Sequence, residues 1–153
     1  MISTTDRPVR VALHIDHRVL RGSVQAALEQ SPALEVVEEC AVADVMVLDG
    51  SIPGPTSIES VRAMRSRYPE SGLVLLSVHE DAAYVWRALE GGATGYVLAD
   101  WAGRDLKDAV LAVQGGHVYV SPRLRWTAAK ALGGAEWMRS DRMEPDGAPR
   151  AGG

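Results

Sequence analysis

At 153 residues, with 46% hydrophobic and 24% charged residues, the chain has the composition of one soluble globular domain with a core of ordinary size. A formal net charge of −4 leaves no basic footprint and argues against direct nucleic-acid binding by this chain. One cysteine, Cys40, excludes an internal disulfide framework; with no apolar run of membrane-spanning length and no signal-peptide core in residues 1–8, a cytoplasmic location is expected and no membrane partner.

Residues 1–8 are polar and end at Pro8, a loose lead-in. Residues 9–15 (VRVALHI) form a first strand, and Asp16 is placed to cap the helix after it. Val19, Val24, Ala27 and Leu28 keep near-helical spacing and predict that helix over 17–30, stopped by Ser31 and Pro32. Residues 34–37 are a weaker second strand. The run 44–48 is apolar on both faces after its first residue, as in a buried central strand of a parallel sheet. It ends at Asp49, followed by the turn residues 50–54. Ile58, Val61, Met64 and Arg65 mark a helix that stops near Pro69. A buried strand over 73–76 ends at Ser77. A helix over 82–90 stops at Gly91 and Gly92, and a last strand covers 95–98. A helix over 105–114 closes at Gly115 and Gly116, and a short segment over 118–120 leads to Ser121 and Pro122.

Strands alternating with helices predict an α/β fold: a doubly wound, five-stranded parallel sheet of flavodoxin-like order. In that order the first and third strands are neighbours at a switch point, and ligands sit at the carboxyl ends of such strands. Both of these strands run into aspartates, Asp16 and Asp49, and two carboxylates there suit a divalent cation or a phosphoryl group. The plainer reading of Asp49, a strand terminator or helix cap, stays open from this stretch alone.

One interval resists the pattern. Only six residues, 38–43, separate the second strand from Asp44. A parallel crossover normally takes a dozen or more and contains a helix. Six residues reach roughly 20 Å when extended. The second helix is therefore missing or shortened, and the edge strand is displaced or paired differently.

Five stretches carry a resemblance: VRVALHIDH from Val9, DVMVLDGSIPG from Asp44, LVLLSVHE from Leu73, WRALEGGATGYVLAD from Trp86 and GGHVYVSP from Gly115. In this order they resemble the receiver (CheY-like) domain of two-component response regulators, of the NarL/LuxR-type subfamily. The resemblance implies a receiver-like unit over 8–123. Residues 124–138 read as a C-terminal helix or linker, and residues 139–153, rich in charge, Pro and Gly, as a disordered tail. The resemblance makes Asp49 the candidate phosphoacceptor and Asp16 one of two acids that hold Mg²⁺, with Ser77 and Tyr96 as switch residues. Two positions depart from the family pattern. Ile15 stands where the other acid belongs, and Ala99 where a lysine contacts a phosphoryl oxygen.

Phosphoryl transfer to a carboxylate needs positive charge near the equatorial oxygens. With Ile15 and Ala99 in place, Mg²⁺ binding through Asp16 and Asp49 is expected to be weak at best, and no Arg or Lys occupies an evident substitute position. The resemblance then implies no enzyme and no firm cofactor. It implies an atypical receiver in phosphorelay signalling that acts as a phosphorylation-independent interaction or dimerisation module in transcription regulation. Expected partners are a second copy, a related regulator or a histidine kinase. The alternative is a weak but working phosphoacceptor. Trp86 and Trp101 flank the face through which receivers associate, and tryptophan is enriched in interface hot spots; core packing is the plainer reading of both. Trp126 and Trp137 would share one face of a continuous helix from Leu124. No DNA-binding domain fits after Leu124, so a stand-alone receiver is expected. His14, His17, His79 and His117 match no zinc spacing, and His17 and His79 read as solvated.

Overall fold

The computed structural model describes residues 7–50 and 55–124. Six strands form one parallel sheet: β1 (Val9–His14), β2 (Leu34–Val37), β3 (Val45–Gly50), β4 (Gly72–Ser77), β5 (Gly95–Leu98) and β6 (Tyr119–Val120). Their order is β2-β1-β3-β4-β5-β6, with β1 and β3 adjacent as predicted. The helices are α1 (Arg18–Glu29), α2 (Pro55–Arg67), α3 (Ala82–Glu90) and α4 (Ala102–Gln114). The proposed helix carrying Trp126 and Trp137, and the tail after it, lie outside the described residues.

The period-two alternation of the central strands buries both faces. Val11, Leu13, Val45, Val47, Val74 and Leu76 pack with Val24 and Leu28 of α1 and with Leu106 and Val110 of α4. Met46, Leu48, Leu73, Leu75 and Tyr96 pack with Ile58 and Val61 of α2 and with Val85 and Ala88 of α3.

Three sequence expectations are corrected. The sheet has six strands, not five: the segment before Ser121 pairs with β5 through Gly95 opposite Tyr119 and Tyr96 opposite Val120. His17, not Asp16, caps α1, its Nδ1 accepting from the Leu20 N–H at 3.1 Å. His17 is exposed, but its ring has a structural task. Finally, α4 begins at Ala102 rather than 105, because a 3₁₀ turn over Ala99–Trp101 leads straight into it from β5.

The short crossover is explained by register. Val37 ends β2 opposite Ala12, and Val45 starts β3 opposite Val11. The link must step back about one residue while crossing two strand spacings, roughly 10 Å. That is well within its reach, and a 3₁₀ turn, Cys40–Val42, takes up the slack where a helix would stand. The link lies over a thin part of the sheet: Ala12 and Ala43 are buried in one cluster, with Val37 and Cys40 packed against it. Asp44 fastens its end, accepting from the Arg10 N–H at 2.9 Å while its own N–H donates to the Arg10 carbonyl at 2.8 Å.

Candidate functional site

The carboxyl ends of β1, β3, β4 and β5 bring Asp16, Asp49, Ser77 and Ala99 to one edge of the sheet. Asp49 lies opposite Leu76, and Gly50 opposite Ser77, so Asp49 and Ser77 sit on neighbouring strands one register step apart. Asp16 follows the end of β1, which pairs with β3 on its other side. Asp49 is half-buried and Asp16 exposed. The residue after Asp49 has to be glycine: a Cβ at Gly50 would stand 2.7 Å from the Leu76 carbonyl oxygen, a backbone atom that cannot step aside.

Ile15 does not face this edge as an acid would. Only 5% exposed, it packs in the α1/α4 core with Leu13 and Val11. Among the described residues no three His, Cys, Asp or Glu side chains gather as a metal-binding set. Of the three acid positions that the family resemblance implies, two carry carboxylates here, Asp16 and Asp49.

Ser77 and Tyr96 are both fully buried and joined through one loop residue. The Ser77 Oγ accepts from the His79 N–H at 3.0 Å, and the Tyr96 Oη donates to the His79 carbonyl at 2.8 Å. Burial holds the Tyr96 phenol well above its usual value of 10; Tyr84 and Asp81 add to the shift, and a bond with Ser77 opposes it. The His79 ring stacks on Tyr84 at 4.3 Å, and Tyr84 meets Tyr96 edge-on at 6.4 Å. His79 is thus not the solvated loop residue the sequence suggests; it ties the end of β4 to β5. Its Nε2 is buried without a hydrogen-bond partner among the described residues.

Trp86 is 37% exposed on α3. Trp101 is half-buried in the turn after β5, with the Arg104 guanidinium over its ring at 5.0 Å.

Sequence reasoning missed Arg123. It lines a cleft of about 20 Å³ together with Ser77, Glu80, Ala99, Asp100 and Trp101, and its Nε lies 3.4 Å from Glu80 Oε1. The pairing of β6 with β5 sets Arg123, three residues beyond β6, in this cleft with Ala99. The signal was the short apolar segment before Ser121: read as a paired strand, it would have placed Arg123 there.

Comparison with known proteins agrees with this architecture. Residues 10–111 match the family described as response regulator receiver domain. Over 131 residues the chain is 30% identical to the transcriptional regulatory protein DegU of Brevibacillus brevis, covering 78% of this chain and 56% of that one. Over 128 residues it is 32% identical to the "Probable transcriptional regulatory protein NarL" of Mycobacterium tuberculosis, covering 76% of this chain and 59% of that one. The chain thus spans under two thirds of the length of these relatives. A LuxR-family response regulator from Aurantimonas sp. SI85-9A1 superposes with a TM-score of 0.74 at 26% identity, covering 82% of this chain and 99% of that one. The receiver domain of Mycobacterium tuberculosis NarL superposes at 0.65 with 31% identity, covering 72% and 99%. Among the described residues no helix is long and apolar enough to cross a membrane. With the family match covering most of the chain and the β1–β3 switch point in place, the protein belongs to the response regulator receiver domain family, with relatives of the NarL/LuxR type.

Proposed function

We propose that this is an atypical receiver, its domain running over 8–123, that works chiefly as a phosphorylation-independent interaction or dimerisation module in transcription regulation. The observation that carries this reading is the placement of Ile15. An acid position turned into core leaves Asp16 and Asp49 without a third carboxylate, and Ala99 offers no cation. The loop after Ser77, by contrast, is held at His79 by two hydrogen bonds that need no phosphoryl group. A module with a loop fixed in this way presents one surface constantly. That surface is α3, β5 and the start of α4, where Trp86 is exposed and Trp101 half-exposed. Its partner is a second copy, a related regulator or a histidine kinase.

The adjacent register of Asp49 and Ser77 favours a second reading, a weak phosphoacceptor. Intact mass after incubation with phosphoramidate and Mg²⁺, paired with sedimentation of the same samples, separates the two. The module reading expects no mass gain and the same self-association in wild type and Asp49→Asn. A gain of one phosphoryl group that disappears in Asp49→Asn, with association following it, would replace it by the second reading.

A further inference from the structure

No basic residue directly adjoins Ser77 or Ala99 in the sequence, yet a guanidinium lines the cleft they share. Its position is built, not incidental. Arg123 lies two residues after Ser121, which is fully buried and whose Oγ accepts from the Leu98 N–H at 3.0 Å. It lies just before Leu124, 2% exposed in the α2/α3 core. Two buried anchors thus fix the backbone of Arg123 beside Ala99, and its side chain turns back across the cleft to Glu80.

Both partners are more than half exposed, and exposed ion pairs are weak and exchange readily. Glu80 therefore holds Arg123 in place without committing it. A guanidinium has five donors in a planar fork, and it binds a tetrahedral oxyanion through two at once. A doubly charged phosphate group is a stronger acceptor than a single carboxylate. Asp100 in the cleft wall opposes such a ligand and keeps its affinity modest.

We infer that Arg123 is the cation of this pocket: supplied by the segment after β6 in place of a lysine at position 99, it binds a phosphate-type oxyanion at the mouth of the cleft, with Glu80 as the internal competitor. The inference rests on the reading of Asp49, Ser77 and Ala99 as one pocket, and it gives that pocket a ligand class. The oxyanion has two sources, free phosphate or a phosphoryl group on Asp49.

The test is a titration of the full chain with inorganic phosphate at constant ionic strength, balanced with sodium chloride. Amide shifts of Ser77, Glu80 and Ala99 report binding. Saturable shifts are expected in wild type. Arg123→Gln should weaken binding about tenfold, the loss of a charge-assisted bond, and Arg123→Lys should keep part of it. Glu80→Gln should tighten binding about threefold by removing the competitor. Equal affinity in wild type and Arg123→Gln overturns the inference, as does the absence of saturable binding in both wild type and Glu80→Gln. Intact mass after phosphoramidate treatment identifies the source: an unchanged mass with saturable phosphate binding means the free anion, and a phosphoryl adduct that hydrolyses faster in Arg123→Gln means Asp49. The adduct alone would count against the phosphorylation-independent reading and leave the role of Arg123 standing.

Discussion

At the ends of β1 and β3 the chain carries Ile15, Asp16 and Asp49; at the end of β4 and within β5 it carries Ser77, His79 and Tyr96. The first group is a set of separate fates: one side chain sunk into the α1/α4 core, one exposed, one half-buried. The second is a connected unit in which each group bonds the next and all three are at least partly buried. Charged chemistry at a strand end depends on several ligands being aimed at one point, so a single apolar replacement weakens it. A hydrogen-bonded loop also serves the fold, so it is retained for stability whatever happens to the chemistry. Under the proposed function, the difference teaches that the part of a receiver that presents a surface can outlast the part that senses a phosphoryl group.

The largest break in this comparison is Ile15→Asp. If Ile15 has become core, restoring an acid removes a buried aliphatic side chain and puts a carboxylate in its place. The expected cost is about 4 kcal/mol in urea unfolding at neutral pH. A cost under about 1 kcal/mol would mean that the side chain turns out of the core freely and that the acid end is one substitution from repair.

A middle effect sharpens the other half. The Tyr96 phenol is raised above its unfolded value of 10, so the folded state keeps its proton while the unfolded state releases it. Its contribution is therefore complete below about pH 10 and is lost as pH climbs above that toward the folded value, at up to about 1.4 kcal/mol per pH unit. Tyr96→Phe should flatten this alkaline limb while costing about 1 kcal/mol at neutral pH through the orphaned His79 carbonyl. Unfolding curves at pH 9 and pH 11 for both proteins check it. An identical alkaline loss in Tyr96→Phe would assign the limb to other groups.

Much of this was legible in advance. The strands over 9–15, 44–48 and 73–76 declare themselves because both faces are buried, and Gly92 and Gly116 mark helix ends by taking positive φ. Asp49 and Ser77 were found because a polar residue ending an apolar run is a local signal. What escaped depends on register and on partners distant in the chain. The crossover over 38–43 looked too short because strand lengths say nothing about where strands align. His79 looked solvated because its role runs through its backbone, which no side-chain pattern reveals. Arg123 was invisible because a two-residue strand had to be paired before the residues after it could be placed beside Ala99.

The smallest effect tests whether Ala99 and Arg123 share one duty. Ala99 is half-buried at the rim, so Ala99→Lys should change stability by no more than about 0.5 kcal/mol. In an otherwise wild-type chain it should change phosphate binding little, since Arg123 already supplies the charge and Glu80 remains available to pair with either cation. In the Arg123→Gln background the same lysine should recover most of the lost affinity. Recovery there, with little gain in wild type, is what two alternative carriers of one charge require. Independent gains in both backgrounds would mean that the two positions serve different points of the cleft, and that the arginine after β6 adds to the family's pattern without replacing any part of it.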